Sequence, residues 1–239
     1  MHARLAIYFA PATSTALWGF GSDTIGYDAA SGADRVQSPP ALTSAVEWRA
    51  WTDAPRSYGF HATLVAPFYL RDGCSEDELG TAVAALAERT APFVVDGLAV
   101  SLLGPFAALT PSGDAGELSR LAAECILALD PYRAPLGPAD RARRLAAGLT
   151  PRQTAYLDRY GYPYAFEEFS FHMTLAGPLP PDRRETVRAE LARRYRPIEG
   201  PVAIDALTLF RQKDRKARFR MVARHPLSGL DASPVVAQT

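Results

Sequence analysis

The stretch Phe60-His61-Ala62-Thr63-Leu64-Val65-Ala66-Pro67 has a second copy in the chain. Shifted by 111 residues, Phe171-His172-Met173-Thr174-Leu175-Ala176-Gly177-Pro178 repeats the Phe, the His, the Thr, the Leu and the Pro at the same positions. In a chain with only four histidines, chance alone rarely aligns five of eight positions in this way. The repeat predicts two related halves that each contribute one strand to a shared site.

Each copy is apolar and β-prone, and successive side chains of a strand point to opposite faces. His61 and Thr63 are therefore expected on one face of their strand, with Phe60 and Leu64 on the other. The second copy alternates in the same way. The pattern predicts a polar cleft on one side of two strands and an apolar core behind them.

Length and charge limit the function classes. The 239 residues, of which 48% are hydrophobic, suffice for a substantial core. A formal net charge of zero argues against an extended nucleic acid as partner and favours a small anionic substrate. No apolar run approaches the roughly 18 residues of a membrane helix, so no membrane partner is expected. The sequence sets no oligomeric state.

Metal-binding and cofactor-binding patterns are missing from the sequence. Cys74 and Cys125 are the only cysteines and neither lies in a Cys-x-x-Cys or Cys/His cluster, so neither a disulfide framework nor a zinc site is predicted. A reducing cytoplasm is the simplest location. The chain also has no His-x-x-x-His, Gly-x-Ser-x-Gly or Gly-x-x-x-x-Gly-Lys pattern. We therefore expect no metal and no cofactor.

The order motif strand, helix, strand, strand is predicted in both halves. Ser75 and Glu78 form a capping-box signature at the start of the first helix. In the second half we expect the motif strand over about 168–175, a helix over 182–195 and strands over 203–210 and 217–223. The pattern predicts one α+β unit over residues 1–227. Its two lobes are related by a pseudo-twofold axis, with mostly antiparallel sheets lining a central groove and helices outside.

Residues 130–161 lie between the two halves and differ from both, since prolines interrupt a run of arginines. They predict a basic helical insertion, with two interpretations open: a solvated connector, or a lid or anion-binding wall. Upstream, residues 53–57 are expected to form a turn into the first motif strand, which Pro67 helps to end. Residues 228–239 are predicted to be a mobile C-terminal tail.

Two imidazoles that face one cleft suit general acid–base catalysis. A neutral imidazole can take a proton from water while a charged one protonates a leaving oxygen. The hydroxyls of Thr63 and Thr174 can donate hydrogen bonds to non-bridging phosphoryl oxygens. We therefore predict that His61 and His172 are catalytic in a metal-independent phosphodiester hydrolysis. A structural histidine is the common alternative, but packing alone gives no reason to repeat both polar residues opposite the Phe and Leu.

Other residues are candidates for binding the substrate along the groove, although each by itself is more often a surface or packing residue: Tyr8, Tyr58, Arg133, Gln212, Arg218 and Arg220. His2 and His225 lie outside the repeat and are expected to take no part.

Two His-x-Thr motifs in two similar halves resemble the two-histidine phosphoesterase superfamily. That superfamily includes cyclic nucleotide phosphodiesterases, RNA 2′,3′-cyclic phosphodiesterases and the proteins called 2′-5′ RNA ligases. More narrowly, five stretches resemble a DUF1045 family encoded with bacterial phosphonate-degradation genes: Leu5 to Pro11, Tyr58 to Leu64, Asp130 to Leu136, Gly161 to Glu168 and Thr208 to Gln212. This likeness runs from about residue 4 to residue 227.

The resemblance implies that His61 and His172 catalyse and that Thr63 and Thr174 hold phosphate. For this branch it also implies a sugar cyclic phosphate such as 5-phosphoribosyl 1,2-cyclic phosphate as the substrate. The basic insertion would suit the second phosphate of that substrate, since arginine forks match phosphate oxygens. Which histidine is the acid is not fixed by the resemblance.

Two alternatives to a cyclic phosphodiesterase of a small phosphorylated sugar stay open. An RNA-end 2′,3′-cyclic phosphodiesterase, or an enzyme like the 2′-5′ RNA ligases, would need an open groove, a basic rim and exposed aromatic rings that stack on bases. A non-catalytic protein that binds a phosphorylated sugar or nucleotide would show no turnover.

Overall fold

The computed structural model describes residues 3–230, so residues 1–2, which include His2, and residues 231–239 lie outside the described residues. The strands within this range are β1 (Arg4–Phe9), β2 (Ala62–Tyr69), β3 (Phe93–Val95), β4 (Leu98–Leu103), β5 (Phe106–Pro111), β6 (Met173–Ala176), β7 (Val202–Ile204), β8 (Ala206–Gln212) and β9 (Arg220–Pro226). The helices are α1 (Ala16–Ile25), α2 (Ala45–Trp51), α3 (Asp53–Tyr58), α4 (Glu76–Arg89), α5 (Gly116–Leu129), α6 (Pro138–Leu145), α7 (Pro151–Tyr160) and α8 (Arg184–Tyr195).

Seven strands form one antiparallel sheet in the order β4-β5-β6-β2-β1-β8-β9. The two motif strands, β2 and β6, are neighbours at its centre and pair at Ala62 and Met173. β3 and β7 form a separate antiparallel pair. Helices cover the sheet, with α5 against β2. The predicted α+β class, with mostly antiparallel strands and external helices, is confirmed.

Each side of the sheet combines strands from both halves of the chain. β2 lies beside β1, β8 and β9, whereas β6 lies beside β5 and β4. Both edges of β2 are occupied, by β1 and by β6, and the hairpin β4-β5 pairs with the other edge of β6. Each helix also packs on strands from the other half of the chain, since α4 contacts β8 and β9, and α8 contacts β4 and β5. A lobe is therefore not one continuous half of the chain.

Several local predictions were wrong. Residues 53–57, expected to be a turn, belong to helix α3. β2 continues past Pro67 to Tyr69, because the pairing with β1 shifts between Leu5 and Ile7 and leaves Pro67 where no ladder hydrogen bond is needed. β6 begins at Met173 instead of residue 168, since residues 166–168 form a 3-10 turn. The strand expected over 203–210 is two strands, β7 and β8.

The insertion, residues 130–161, contains a 3-10 turn, α6 and α7 and is attached to the end of β2. The backbone N–H of Ala134 donates to the Tyr69 carbonyl, and Leu70 pairs with Arg133. At the other end of the chain, the N–H groups of Ser228 and Gly229 donate to carbonyls at the end of α4, so the backbone is held beyond the predicted tail boundary. No helix among residues 3–230 is long and apolar enough to span a membrane.

The motif strands alternate as predicted. Phe60, Leu64, Phe171 and Leu175 are buried, whereas the four motif His and Thr side chains are partly exposed on the other face. Phe60 packs directly on α1, where a Cβ added at Gly21 would lie 2.2 Å from its ring. The approach of this helix to the motif strand therefore requires glycine at position 21.

We expect Gly21→Ala to destabilise the protein. Alanine in place of glycine favours a helix by about 1 kcal/mol, but overlap with the Phe60 ring costs about 1–3 kcal/mol, so the overlap should dominate. The measurement is the midpoint of urea unfolding. Gly19→Ala, in the same helix with no atom within 4 Å of the added Cβ, is the matched control and should be neutral or stabilising. Equal stabilisation by both substitutions would contradict the close contact.

Candidate active site

His61 and His172 line the same cleft, on the polar face at the centre of the sheet. The cleft has a volume of about 450 Å³, and Thr174 and Tyr58 also line it. The two motif strands thus bring together imidazoles that are separated by 111 residues in the sequence.

The pairing of Ala62 with Met173 sets how the two motifs face each other. Continued by one residue in each direction, this antiparallel register places His61 opposite Thr174 and Thr63 opposite His172. His61 and His172 directly precede β2 and β6, and since the chain alternates through the paired residues, the four side chains share one face. Opposite Cβ atoms in such a pair lie about 4.5–5.5 Å apart and diagonal ones somewhat further. Each histidine therefore has the threonine of the other motif as its nearest cross-strand neighbour.

Each imidazole is oriented by the carbonyl two residues before it. His61 Nδ1 lies 2.8 Å from the Gly59 oxygen, and His172 Nδ1 lies 2.8 Å from the Ser170 oxygen. Because a carbonyl oxygen can only accept, Nδ1 carries the proton in both rings, and Nε2 is the lone-pair nitrogen of the neutral ring. The Thr63 hydroxyl lies 3.3 Å from Nε2 of His61. Nε2 is thus the nitrogen that each ring has available for proton transfer.

Tyr8 stacks on His61, with ring centroids 3.7 Å apart and an angle of 24° between the planes. Desolvation lowers the pKa of His61 to about 4; the hydrogen bond to the Gly59 carbonyl opposes this effect, and His172 adds to it. At pH 7 the His61 imidazole is therefore neutral, and its Nε2 can accept a proton.

The hydroxyl of Tyr8 is buried and has no hydrogen-bond partner among the described residues. Burial raises the pKa of Tyr8 well above its ordinary value, and Tyr58 raises it further, so the hydroxyl stays protonated. Buried hydroxyls nearly always have a partner, which makes this donor beside the cleft unusual.

Gly59 is a site residue that the sequence reasoning missed. It ends α3 with φ +83° and ψ 169°, a conformation that glycine adopts almost exclusively. A Cβ at this position would lie 2.6 Å from the Cβ of Ala29. Glycine directly after a helix is a recognisable C-terminal signal, but the turn predicted over residues 53–57 leaves no helix for it to end. The conformation of Gly59 directs its carbonyl to His61.

The other candidate residues divide between the cleft and more distant places. Tyr58 lines the cleft and Tyr8 underlies His61. Arg133 lies in a second cavity and donates to Asp130 and to the carbonyls of Ala134 and Arg159. Gln212 is buried, where it accepts from Arg4 and donates to the Ala217 carbonyl.

The structure does not bring Arg218 and Arg220 into the cleft, because they lie at the outer edge of the sheet. Both line a third cavity beside β9. Arg218 is 4.0 Å from the centroid of the Tyr27 ring and pairs with Asp34, while Arg220 donates to the Ala30 carbonyl. His225 also lies on β9, outside the cleft lining. Among residues 3–230, no group of three or more His, Cys, Asp or Glu side chains is placed to bind a metal ion.

Comparison with known proteins identifies the family. Residues 63–220 match the family described as "Protein of unknown function (DUF1045)", a match that begins two residues after His61. The chain belongs to this DUF1045 family.

Two curated relatives carry the name ribose 1,5-bisphosphate phosphokinase PhnN. The protein from Janthinobacterium sp. (strain Marseille) is 37% identical over 95% of this chain and 51% of its own length. The protein from Laribacter hongkongensis (strain HLHK9) is 36% identical over 91% of this chain and 50% of its own length. The chain therefore spans about half the length of these relatives.

Solved structures with distant similarity include TT0787 of Thermus thermophilus, at 16% identity and a TM-score of 0.43 over 95% of this chain and 98% of that one. E. coli LigT in complex with NADP+ has 13% identity and a TM-score of 0.41 over 95% of this chain and 99% of LigT.

We expect Gly59→Ala to reduce any activity that depends on His61. The substitution should strain the backbone by about 1–3 kcal/mol and turn away the carbonyl that fixes the His61 tautomer. The measurements are the free energy of unfolding and the ¹⁵N chemical shifts of the His61 ring, which report its tautomer. Gly73→Ala is the control for strain alone, since Gly73 has φ +86° but no atom within 4 Å of the added Cβ. An unchanged His61 spectrum in Gly59→Ala would contradict the orienting role of this carbonyl.

Proposed function

We propose that this protein is a metal-independent cyclic phosphodiesterase that acts in phosphonate catabolism. Its substrate is a small phosphorylated-sugar cyclic phosphate such as 5-phosphoribosyl 1,2-cyclic phosphate. One observation carries the proposal: the pairing of β2 with β6 brings His61, His172 and Thr174 to one cleft, with the Thr63 hydroxyl 3.3 Å from Nε2 of His61.

His61 is the general base in this scheme. With a pKa of about 4 its imidazole is neutral at pH 7, and Nε2 takes the proton of the attacking water. As an acid it would be protonated in only about one molecule in a thousand at that pH. His172 is the general acid, and it donates a proton from Nε2 to the departing sugar oxygen. Each role contributes about two to four orders of magnitude in rate.

The bonds balance without a further reactant. The water oxygen forms a bond to phosphorus, and the bond from phosphorus to one of the two bridging sugar oxygens breaks. His61 takes the proton of the water, and His172 gives a proton to the departing sugar oxygen. Thr63 and Thr174 donate hydrogen bonds to the non-bridging oxygens, whose negative charge must be stabilised as bonding at phosphorus changes. Because both proton transfers are supplied by imidazoles, the scheme requires no metal.

The names of the curated relatives support the choice of substrate. If 5-phosphoribosyl 1,2-cyclic phosphate is opened with the sugar 2-oxygen as the leaving group, the product is ribose 1,5-bisphosphate, the compound in those names. This chain covers about half of each relative. We infer that this half produces the compound that the remaining half phosphorylates.

A nucleotide 2′,3′-cyclic phosphate is the second candidate substrate, and three aromatic rings favour it. Tyr58, Phe106 and Tyr164 line the cleft and are each more than a third exposed, so they could stack on a base. The described residues that line the cleft include no lysine or arginine, however, and an RNA-binding groove would need a basic rim. The sugar substrate is therefore preferred.

Phosphorus NMR tests the reaction. In excess EDTA we expect wild-type protein to open 5-phosphoribosyl 1,2-cyclic phosphate faster than a 2′,3′-cyclic nucleotide, and His61→Ala/His172→Ala to open neither. Loss of both imidazoles should lower the rate by at least about four orders of magnitude. Turnover of the nucleotide alone would favour the RNA-end reaction. Binding without turnover by wild type and by the double variant would indicate a phosphate-ligand binding protein.

The pH dependence of kcat/KM tests which histidine is the base. A base with a pKa of about 4 in the free enzyme should keep kcat/KM constant on acidification until about pH 4 and lose it below. This acidic limb should disappear from the residual activity of His61→Gln but persist in that of His172→Gln. The reverse pattern would exchange the two roles.

A further inference from the structure

A second cavity, of about 230 Å³, lies between the insertion and the end of β2. Its lining includes Arg4 and Tyr69 from the sheet and Arg143, Arg144 and Tyr162 from the insertion and the residues directly after it. The insertion is fixed over this cavity by its backbone bonds to Tyr69 and Leu70. The cavity is therefore formed by backbone pairing between the insertion and the end of β2.

Two carboxylates also line this cavity, and both are already paired with arginines. Asp130 pairs with Arg133 at 3.0 Å and with Arg159 at 2.6 Å. Asp140 pairs with Arg143 at 2.7 Å and with Arg215. Burial raises the pKa of each carboxyl group, but the hydrogen bonds from these arginines outweigh it, so the pKa of each is lowered. Both carboxylates are thus charged and neutralised by arginines, and Arg133 and Arg143 already have a carboxylate partner.

Arg4 and Arg144 are the arginines of this lining that form no ion pair with a carboxylate among residues 3–230. Nε of Arg144 is buried without a hydrogen-bond partner in that range, and its guanidinium lies 5.8 Å from the centroid of the Tyr162 ring. Arg4 donates from Nε and Nη2 to the amide oxygen of Gln212, which is neutral. A buried guanidinium nitrogen without a partner is costly, so Arg144 is suited to an anion, and Arg4 in the same lining can provide a second guanidinium.

Aromatic side chains connect the second cavity with the catalytic cleft. The guanidinium of Arg4 lies 5.4 Å from the Phe219 ring, which is 6.3 Å from the Tyr8 ring that stacks on His61. On the opposite wall, Tyr162 in the cavity contacts Tyr164 in the cleft, with 5.6 Å between ring centroids. The second cavity and the catalytic cleft are therefore neighbours, with these aromatic rings between them.

We propose that Arg4 and Arg144 form a second anion subsite, which binds the terminal phosphate monoester of a substrate whose cyclic phosphate lies between His61 and His172. Arginine forks bind phosphate oxygens through paired, charge-assisted hydrogen bonds. Gln212 accepts from Nε and Nη2 of Arg4 in this arrangement, and Nη1 has no hydrogen-bond partner among residues 3–230. The proposal rests on the proposed function and makes the enzyme selective for doubly phosphorylated sugars.

The test compares two substrates that differ in the terminal phosphate alone, 5-phosphoribosyl 1,2-cyclic phosphate and ribose 1,2-cyclic phosphate. Wild-type kcat/KM should be higher for the first, and Arg144→Gln and Arg4→Gln should each lower the ratio of the two kcat/KM values roughly 10- to 100-fold. Arg144→Lys should fall between these variants and wild type. Arg152→Gln, an exposed position of the same insertion outside the cavity lining, is the control and should leave the ratio unchanged.

Calorimetry with ribose 5-phosphate separates failure of the subsite from failure of the proposed reaction. Wild type and Arg152→Gln should bind this ligand, and Arg144→Gln should bind it roughly 10- to 100-fold more weakly at an unchanged melting temperature. Binding lost in this way without turnover of either cyclic phosphate would support the subsite and overturn the reaction. Turnover of both substrates at equal kcat/KM, with the ratio unaffected by Arg144→Gln, would keep the reaction and overturn the subsite.

Discussion

The antiparallel pairing of β2 with β6 is the interaction on which the rest of the structure depends. It is brief, with Ala62 paired to Met173, yet its register, continued by one residue in each direction, turns each histidine toward the threonine of the other motif. A slip by one residue would turn one motif into the core, because side chains alternate along a strand. The buried Phe60 and Phe171 oppose such a slip, since they would then have to leave the core.

The two histidines have equivalent positions in the repeat but unequal surroundings. Both are anchored through Nδ1 to the carbonyl two residues earlier. His61 is also stacked on the buried Tyr8 ring, and desolvation lowers its pKa. The repeated motif thus supplies two similar groups, and the packing around His61 alone adds the stacked Tyr8 ring and lowers the pKa of that imidazole. This difference is the basis of the base and acid roles proposed above.

The sequence predicted the strand alternation, the α+β class and the convergence of the two motifs because these follow from local periodicity and from the repeat. It did not predict the exchange of hairpins between the two sides of the sheet, since strand order depends on which edges are free when strands meet. It also did not distinguish among arginines. Arg133 and Arg218 have carboxylate partners, and Arg144 has none among the described residues, a difference that only tertiary contacts reveal. Gly59 was missed because its role depends on a backbone conformation.

The exchange of strands has a consequence for the order of events during synthesis. β1 pairs with β8, so Arg4 meets Gln212 across a separation of 208 positions in the chain. When the first half leaves the ribosome, β2 has its partner β1, but the edge that later receives β6 is still open. An unpaired edge next to apolar residues invites association with other chains, and contacts so distant in sequence form slowly. Completion of the sheet must therefore wait for β8 and β9, and until β6 is made the open edge of β2 is exposed to association with other chains.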